Sequence, residues 1–178
     1  MKPVIATPPR TMMEVYKSLP EGTLAELIDD KLYMSPSPVF SHQKTIQEIF
    51  RKLCLEVLDK QKGEVIISPY DVYLDETNNA VQPDIIVVLN ENIKIIDRRG
   101  HIHGVPDILI EVLSPHNRDH DQKLKKDLYE RFRVKEYWIV DPQNKSTTVY
   151  ELENNRYKIL ADDTGIVRSR LLDCFFEF

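Results

Sequence analysis

The sequence predicts one α/β domain in which a mixed central β-sheet is flanked by helices, with additional β-hairpins near both ends of the chain. Three observations predict this fold class. The chain has 178 residues, the length of a single domain. Apolar residues make up 42% and charged residues 30% of it, which is ordinary for a soluble globular protein. The predicted elements run in the order helix, strands, helix, strand, and this order places a mixed sheet between helices.

The first third of the chain predicts an arm, a short helix, a hairpin and a long helix. Residues 1–10 contain three prolines and are expected to form an N-terminal arm of a domain that spans 1–178. Thr11 and Glu14 have the spacing of a capping box, so a short helix is predicted to begin there. Strands at 24–28 and 31–34 read as a hairpin around Asp29 and Asp30. A helix is predicted at 41–60, because apolar residues recur on one stripe and Gly63 follows.

The remainder predicts short strands around one further helix. Strands are predicted at 64–68, 70–74, 85–89, 108–114 and 136–140, a basic helix at 119–132, and a hairpin at 147–152 with 157–160. The stretch 90–104 is polar and is expected to be a connection. The tail at 171–178 is too apolar to be a free end, so we expect it to dock on the core or on a partner chain. That second possibility makes a homodimer or higher homo-oligomer an expectation.

Composition and charge exclude several classes of protein. The net charge of −5 argues against a protein that coats nucleic acid indiscriminately. Cys54 and Cys174 are far apart without metal-site spacing, which is typical of reduced thiols in a cytosolic protein. No apolar run approaches the roughly 18 residues of a membrane-spanning helix, and residues 1–10 lack the apolar stretch of a signal peptide. We therefore expect a cytoplasmic protein without a membrane partner.

Two carboxylates enter the predicted core. Glu111 lies in the middle of the apolar strand at 108–113, and Asp84 opens the apolar run at 85–89. Removing an unpaired ion from water costs on the order of several kcal/mol. Such a group protonates, takes a cationic partner or holds a metal. Two carboxylates on neighbouring strands make a site for a hard cation the leading hypothesis, and an ion pair with lysine or arginine is the alternative.

Several short motifs now become recognisable together. They are Glu26-Leu27-Ile28-Asp29, Ser35-Pro36-Ser37-Pro38 with His42, Gln82-Pro83-Asp84, Ile110 to Pro115, Asp121 with Lys125 and Tyr129, and Val134 to Pro142. In this order, over roughly residues 19–150, the sequence resembles the Uma-two family of endonucleases. That family has the restriction-endonuclease-like fold of the PD-(D/E)XK superfamily. Each motif alone is weak, but the ordered set is specific.

The resemblance implies a metal-dependent endonuclease that acts on DNA. It implies that Asp84, Glu111 and the carbonyl of Val112 bind Mg²⁺ or Mn²⁺. These are the oxygen ligands that Mg²⁺ prefers, and the cation would offset charge as the phosphodiester is hydrolysed. Glu26 would be a further acid, reaching the metal directly or through water. One-metal and two-metal hydrolysis both stay open.

The catalytic lysine departs from the parent pattern. Leu113 stands two residues after the strand acid, where the superfamily usually has lysine. The resemblance implies a lysine displaced to the following helix, with Lys125 as the candidate and Lys123 as the alternative. Lys125 shares a helical face with Asp121 and Tyr129. It would orient or deprotonate the attacking water, or stabilise the phosphate.

Other interpretations compete for these residues. A second Pro-Asp pair ends in Asp107, which we interpret as a strand-entry residue. Packing or capping competes with a site role for His42, and packing is favoured for Tyr129. The histidines also raise a zinc hypothesis, which we rank low because no cysteine joins them; they are His101, His103, His116 and His120.

Two positions depart from the glycine that the family usually has. They are Asp30 in the early hairpin turn and Arg133 just after the basic helix. Asp tolerates a left-handed conformation fairly well, whereas Arg does so less well. Residues 116–135 also carry a local charge of +3, from seven Lys and Arg against four Asp and Glu. This charge fits a solvated helix face or a phosphate-backbone contact.

Two other functional hypotheses remain beside the endonuclease. The first is that the chain is an inactive nucleic-acid-binding or regulatory protein on a nuclease fold. The second is that it is a structural oligomer whose acids only form ion pairs. Fold alone does not decide among them.

Overall fold

The structure is a computed structural model, and it describes residues 8–97, 100–114 and 120–178. Most of the predicted N-terminal arm, together with His116, therefore lies outside the described residues. The short helix α1 (Met12–Lys17) begins where the capping box predicts, and the Thr11 side chain accepts a hydrogen bond from the Glu14 amide. None of the described helices is both long and apolar enough to cross a bilayer.

A six-stranded mixed sheet forms the centre of the fold, in the order β11-β10-β9-β8-β6-β3. Its strands are β3 (Gly63–Ile67), β6 (Ile85–Leu89), β8 (Ile108–Val112), β9 (Glu136–Val140), β10 (Ser146–Glu153) and β11 (Arg156–Thr164). Within this sheet the β8–β9 pair is parallel and the other four pairs are antiparallel. The predicted strands that carry the two acids are thus neighbours in the sheet, as the sequence predicts. The predicted hairpin at 147–160 is longer than expected and extends this sheet.

A second, five-stranded sheet packs beside it in the order β2-β1-β5-β4-β7. Its strands are β1 (Ala25–Ile28), β2 (Lys31–Met34), β4 (Val72–Tyr73), β5 (Ala80–Val81) and β7 (Ile102–His103). The β1–β2 hairpin is confirmed. The prediction of a strand at 70–74 was too long, and β5 was missed. The polar connection at 90–104 contains a 3₁₀ turn (Asn90–Ile95) and β7, neither of which was predicted. A strand of two residues such as β7 is too short to show an alternation of apolar and polar residues.

Helices cover the two faces of the central sheet. The long helix α2 (Phe40–Leu53) continues as a π-helical segment (Cys54–Leu58), and Ile46, Ile49 and Leu53 pack on one face. The predicted basic helix is a π-helical segment (His120–Lys125) followed by α3 (Lys126–Arg131), which packs on the other face. The predicted basic helix is thus present over the described residues, and its π-helical start was not foreseen because side-chain periodicity does not distinguish α from π hydrogen bonding over a few residues.

The apolar tail docks on the chain's own core. It forms a hairpin of β12 (Ile166–Ser169) and β13 (Cys174–Glu177). Phe176 and Leu172 are buried against the same face of the central sheet as α2. Of the two expectations for the tail, docking on the core is the one that the structure shows.

Candidate active site

A pocket of about 350 Å³ opens at one end of β6 and β8, between the start of α2 and the π-helical segment before α3. Its walls come from β1, the loop at 35–39, the first turn of α2, and residues 68–69. The predicted site residues Glu26, Asp84, Glu111, Val112 and Lys125 all line it, together with His42, Gln82, His120 and Asp121. Folding therefore collects into one pocket the acids and the lysine that the sequence places up to a hundred residues apart.

Strand register sets Asp84 against Glu111. In the antiparallel β6–β8 pair Ile85 lies opposite Ile110, so extending the ladder by one residue places Asp84 opposite Glu111. Directly opposed residues share one face and lie about 5 Å apart at Cβ. Like charges directly opposite each other repel, so a cation nearby would stabilise the two carboxylates.

Asp84 is held by a backbone amide and by a histidine. Its Oδ2 accepts a 2.8 Å hydrogen bond from the Val112 amide and lies 3.2 Å from His42 Nε2. Burial acts to lower the pKa of His42, but the hydrogen bond and charge of Asp84 raise it by more. The raised pKa favours the charged form of His42, and in that form the ring stabilises the Asp84 carboxylate in the pocket.

Lys125 is the cation at the centre of the buried acids. Its Nζ lies 2.9 Å from Glu111 Oε1, 2.9 Å from Glu26 Oε1 and 3.7 Å from Asp121 Oδ1. The side chain is only 6% exposed. Burial would lower the pKa of Lys125, but the charges of these three carboxylates raise it well above its ordinary value. Lys125 thus remains an ammonium ion at neutral pH.

The pKa values of Glu111 and Glu26 are shifted in opposite directions, although both side chains are buried. Burial raises the pKa of Glu111 well above its usual range, Lys125 opposes this, and the charges of Asp121 and Asp84 add to it. Tyr129 Oη donates a 3.0 Å hydrogen bond to Glu111 Oε1. Burial also acts to raise the pKa of Glu26, but Lys125, His120 and the Gln82 amide lower it to about 2. Glu26 is therefore the acid of this pair that keeps its charge most firmly.

Asp121 and His120 complete the polar lining of the pocket. Burial raises the pKa of Asp121 to about 6, although Lys125 opposes the shift. His120 Nε2 lies 3.3 Å from Glu26 Oε2, and its ring packs edge-on against Tyr33 at 4.8 Å between centroids. The sequence analysis named these two residues only as a helical neighbour of Lys125 and as a zinc candidate. The recurrence of polar side chains every four to five residues at 116–125 is the signal that could have placed them in the site.

The donor set suits a hard divalent cation. The hydrogen bonds of the two opposed carboxylates within the described residues use one oxygen of each, Asp84 Oδ2 and Glu111 Oε1, which leaves the second oxygen of each as a candidate ligand. All the candidate donors are oxygens, as Mg²⁺ and Mn²⁺ prefer. Across the described ranges, however, no three His, Cys, Asp or Glu side chains already converge as a metal cluster. The Lys125 ammonium ion stands among the carboxylates instead.

Comparison with known proteins now adds the family. A family model described as "Uma2: Putative restriction endonuclease" matches residues 13–173. The chain belongs to this family. Among solved structures, a crystal structure at 1.96 Å resolution of "a putative nuclease belonging to DUF820" from Anabaena variabilis ATCC 29413 has the same fold. Its TM-score is 0.74 at 19% sequence identity, and the match covers 93% of this chain and 92% of the other. A search of curated proteins gave no match.

The two lysine candidates of this Uma2 chain differ in their position in the structure. Lys125 reaches Glu26 and Glu111, whereas Lys123 is exposed and does not line the pocket. Lys125 is therefore the one of the two that contacts the predicted acids. Leu113 is buried on the far side, in the cluster with Leu128 and Ile139.

Three of the competing candidates, Asp107, His101 and His103, do not line this pocket, whereas His120 does. Asp107 sits at the opposite end of β8, where its Oδ1 pairs with Lys135 at 2.7 Å and its Oδ2 accepts from the Leu89 amide. His101 and His103 lie on the small sheet, and His103 stacks on Tyr73 with 5.0 Å between ring centroids. The described histidines of the zinc hypothesis thus fall at separate places.

Proposed function

We propose that this protein is a divalent-cation-dependent nuclease that hydrolyses phosphodiester bonds in DNA, acting in the cytoplasm. The observation that carries the proposal is the opposed carboxylate pair, Asp84 and Glu111, at the floor of a pocket that also holds Lys125. Family membership and the shared fold support it. The sequence expectation of a homodimer or higher homo-oligomer stays a prediction.

Asp84, Glu111 and the Val112 carbonyl would hold Mg²⁺ or Mn²⁺. When bound, such a cation stabilises charge on the phosphoryl oxygens and makes a water more nucleophilic. Its two positive charges would also relieve the repulsion between the opposed carboxylates. His42 orients Asp84 through Oδ2, and the Val112 amide holds that same oxygen, so the other oxygen faces the ligand.

Lys125 acts as an electrostatic group in this proposal. Because its pKa is raised, it carries a proton at neutral pH and is unsuited to accept another from water. An ammonium ion at this position would instead stabilise the scissile phosphate or orient the water by donating hydrogen bonds. Glu26, with its firm negative charge, and Tyr129, through Glu111, fix where that ammonium ion lies.

One observation favours the second candidate, a nucleic-acid-binding protein without turnover. Lys125 Nζ contacts Glu26 and Glu111 at 2.9 Å each, so these ion pairs engage groups that catalysis would need. Binding of a cation would then have to compete with the lysine for Glu111. Turnover and binding must therefore be measured separately.

The test is cleavage of supercoiled plasmid with Mg²⁺ or Mn²⁺. Asp84→Asn and Glu111→Gln keep the shape of each side chain and remove its charge, so each should reduce cleavage by at least about 100-fold, as loss of a main electrostatic contributor does. Asp107→Asn is the matched control, because Asp107 is an acid just before β8, at the end of that strand away from Glu111. Cleavage that survives both site variants would refute the assignment. Salt-sensitive DNA binding without any cleavage would favour the second candidate.

A further inference from the structure

Several exposed apolar residues line the pocket or stand next in sequence to residues that line it. Four large apolar residues there are strongly exposed: Met34 62%, Val39 53%, Phe40 84% and Ile67 44%. Val39 itself lines the pocket, and each of the other three is the direct neighbour in sequence of a lining residue, namely Ser35, Val39 and Ser68. Large apolar groups gathered on an exposed surface mark a binding surface more often than scattered ones do. We call these four residues the apolar rim.

Phe40 is the most exposed member of the apolar rim and has a fixed position. It is the first residue of α2, and residues 36 and 38 before it are prolines, which restrict the approach of the chain. Gln43, three residues later on a neighbouring part of the helix surface, lines the pocket. Phe40 therefore lies in the first turn of α2, next to residues that line the pocket, and its ring is exposed to a substrate.

The kind of molecule that would contact the apolar rim follows from the acids in the pocket, Asp84 and Glu111. If a phosphodiester lies at Asp84 and Glu111, then the base of an adjacent nucleotide is one sugar away, and the rim residues next to the pocket lining are candidates to contact it. Both faces of a base are apolar and flat, and they stack on aromatic side chains with little regard to sequence. In a duplex those faces are already stacked on neighbouring base pairs. An unpaired base leaves them free.

We infer that Phe40 is a stacking platform for an unpaired base and that the rim directs single-stranded or locally unpaired DNA into the pocket. This inference rests on the proposed function and adds a substrate preference to it. It is also compatible with the acidic character of the chain, whose net charge is −5. Binding through stacking needs fewer phosphate contacts, so its salt dependence should be shallower than that of a protein held mainly by lysine and arginine.

The experiment measures binding of a fluorescein-labelled 20-mer, single-stranded or annealed to its complement, by anisotropy in Ca²⁺ without Mg²⁺ or Mn²⁺. Phe40→Ala should weaken single-strand binding by about 5- to 100-fold, the loss of one base–aromatic stack, and change duplex binding little. Phe40→Trp should retain the affinity. Phe175→Ala is the matched control, because Phe175 is 69% exposed on the last hairpin and neither it nor its sequence neighbours line the pocket. A 2-aminopurine base in the single strand should be quenched by the wild type and not by Phe40→Ala.

The outcomes separate this inference from the proposed function. Equal single-strand affinity for Phe40→Ala and Phe175→Ala would overturn the stacking role, even if plasmid cleavage occurs. A change from dimer to monomer in Phe40→Ala during sedimentation, with unchanged DNA affinity, would also overturn it, since a second copy would then cover the rim. Absence of DNA binding by the wild type would overturn it too. Phe40-dependent single-strand binding without any metal-dependent cleavage would support the rim and refute the nuclease.

Discussion

At the scale of single residues, a buried carboxylate becomes informative only through its neighbours. Glu111 and Glu136 both lie in apolar strands and are both buried. Glu136 Oε2 accepts hydrogen bonds from Trp138 Nε1 and Ser169 Oγ, and its Oε1 accepts one from the Leu171 amide. It is therefore a structural carboxylate, fully engaged by donors. Glu111 differs because a second carboxylate, Asp84, is opposite it and a pocket opens beside it.

The sequence could predict which residues meet, but not how their charges are balanced. The run of apolar residues around Glu111 and the Pro-Asp before β6 were readable, and so was Lys125 through the motif spacing. The contacts of Lys125 with both Glu26 and Glu111 required the tertiary arrangement of β1 against the segment before α3. So did the opposed shifts in pKa of the two glutamates, because these depend on burial and on distances that sequence spacing does not give.

Metal binding should appear as a gain in stability. At a Mn²⁺ concentration 100-fold above its Kd, a ligand that binds only the folded state adds about 2.7 kcal/mol to the free energy of unfolding. The melting temperature of the wild type should rise accordingly, by several degrees for a chain of this size. Asp84→Asn and Glu111→Gln should lose this shift, while Asp107→Asn should keep it. An equal shift in all four proteins, measured by differential scanning fluorimetry, would place the cation elsewhere.

Removal of the Lys125 charge should destabilise the protein in a pH-dependent way. Lys125→Met leaves Glu26, Glu111 and Asp121 without their shared cation, and breaking such a buried pair costs about 3–5 kcal/mol. In the wild type the pKa of Glu26 is about 2 instead of 4.5, so its contribution is present above pH 4.5 and is lost as the pH falls toward 2. Without Lys125, burial raises that pKa instead. The folded state of the variant then loses stability as the pH rises.

Urea unfolding at pH 5 and pH 7.5 measures this difference. The deficit of Lys125→Met relative to the wild type should be larger at pH 7.5 than at pH 5. Lys44→Met is the control, because Lys44 is half exposed and its ion pair with Glu48 is long, at 3.9 Å. This substitution should change the free energy of unfolding by less than about 0.5 kcal/mol at either pH. A deficit that is the same at both pH values would show that Lys125 contributes through packing and not through charge.

At the scale of secondary-structure elements, Asp30 and Arg133 stand where the family usually has glycine, and both adopt the left-handed backbone conformation that glycine favours. Asp29 and Asp30 have φ of 48° and 60°, so the two-residue turn between β1 and β2 has both residues in the left-handed region, as a type I′ hairpin requires. Arg133 has φ of 64°. The amides of Arg133 and Val134 donate to the carbonyls of Glu130 and Tyr129 at 3.0 Å each. This is the Schellman ending of α3, so the sequence prediction of a helix end there is correct.

Arg133→Gly should stabilise the protein. A left-handed conformation costs a residue with a Cβ roughly 1 kcal/mol relative to glycine, and the entropy that glycine adds to the unfolded chain cancels part of the gain. We expect an increase of about 0.5 kcal/mol in the free energy of unfolding, measured with urea. Arg131→Gly, two residues earlier within α3, should lower it by about 1 kcal/mol. Destabilisation by both substitutions would show that the Arg133 side chain contributes more than its backbone strain costs.

At the scale of the whole molecule, the fold class was predictable and the second sheet was not. Long apolar runs at β6, β8 and β9 identify a central sheet because strands buried on both faces are apolar throughout. β4, β5 and β7 have only two residues each, too few to show a period of two. Their pairing is set by tertiary contacts. The tail at 171–178 was recognised as apolar, but its hairpin depends on the left-handed Asp173, at φ 51°, which a single sequence does not reveal.

The last hairpin should be part of the cooperative unit of the fold, and Phe176 tests this. Phe176 is 7% exposed and packs on Trp138, with 6.3 Å between the ring centroids. Removing a buried phenyl ring costs about 3–5 kcal/mol, so Phe176→Ala should lower the free energy of unfolding by that amount. Phe175→Ala, one residue earlier and exposed, should change it by less than about 0.5 kcal/mol. Trp138 is the single tryptophan of the chain and lies at the contact, so its fluorescence reports unfolding directly. If urea curves of Phe176→Ala match those of Phe175→Ala, or show a separate early transition, the hairpin unfolds independently of the central sheet.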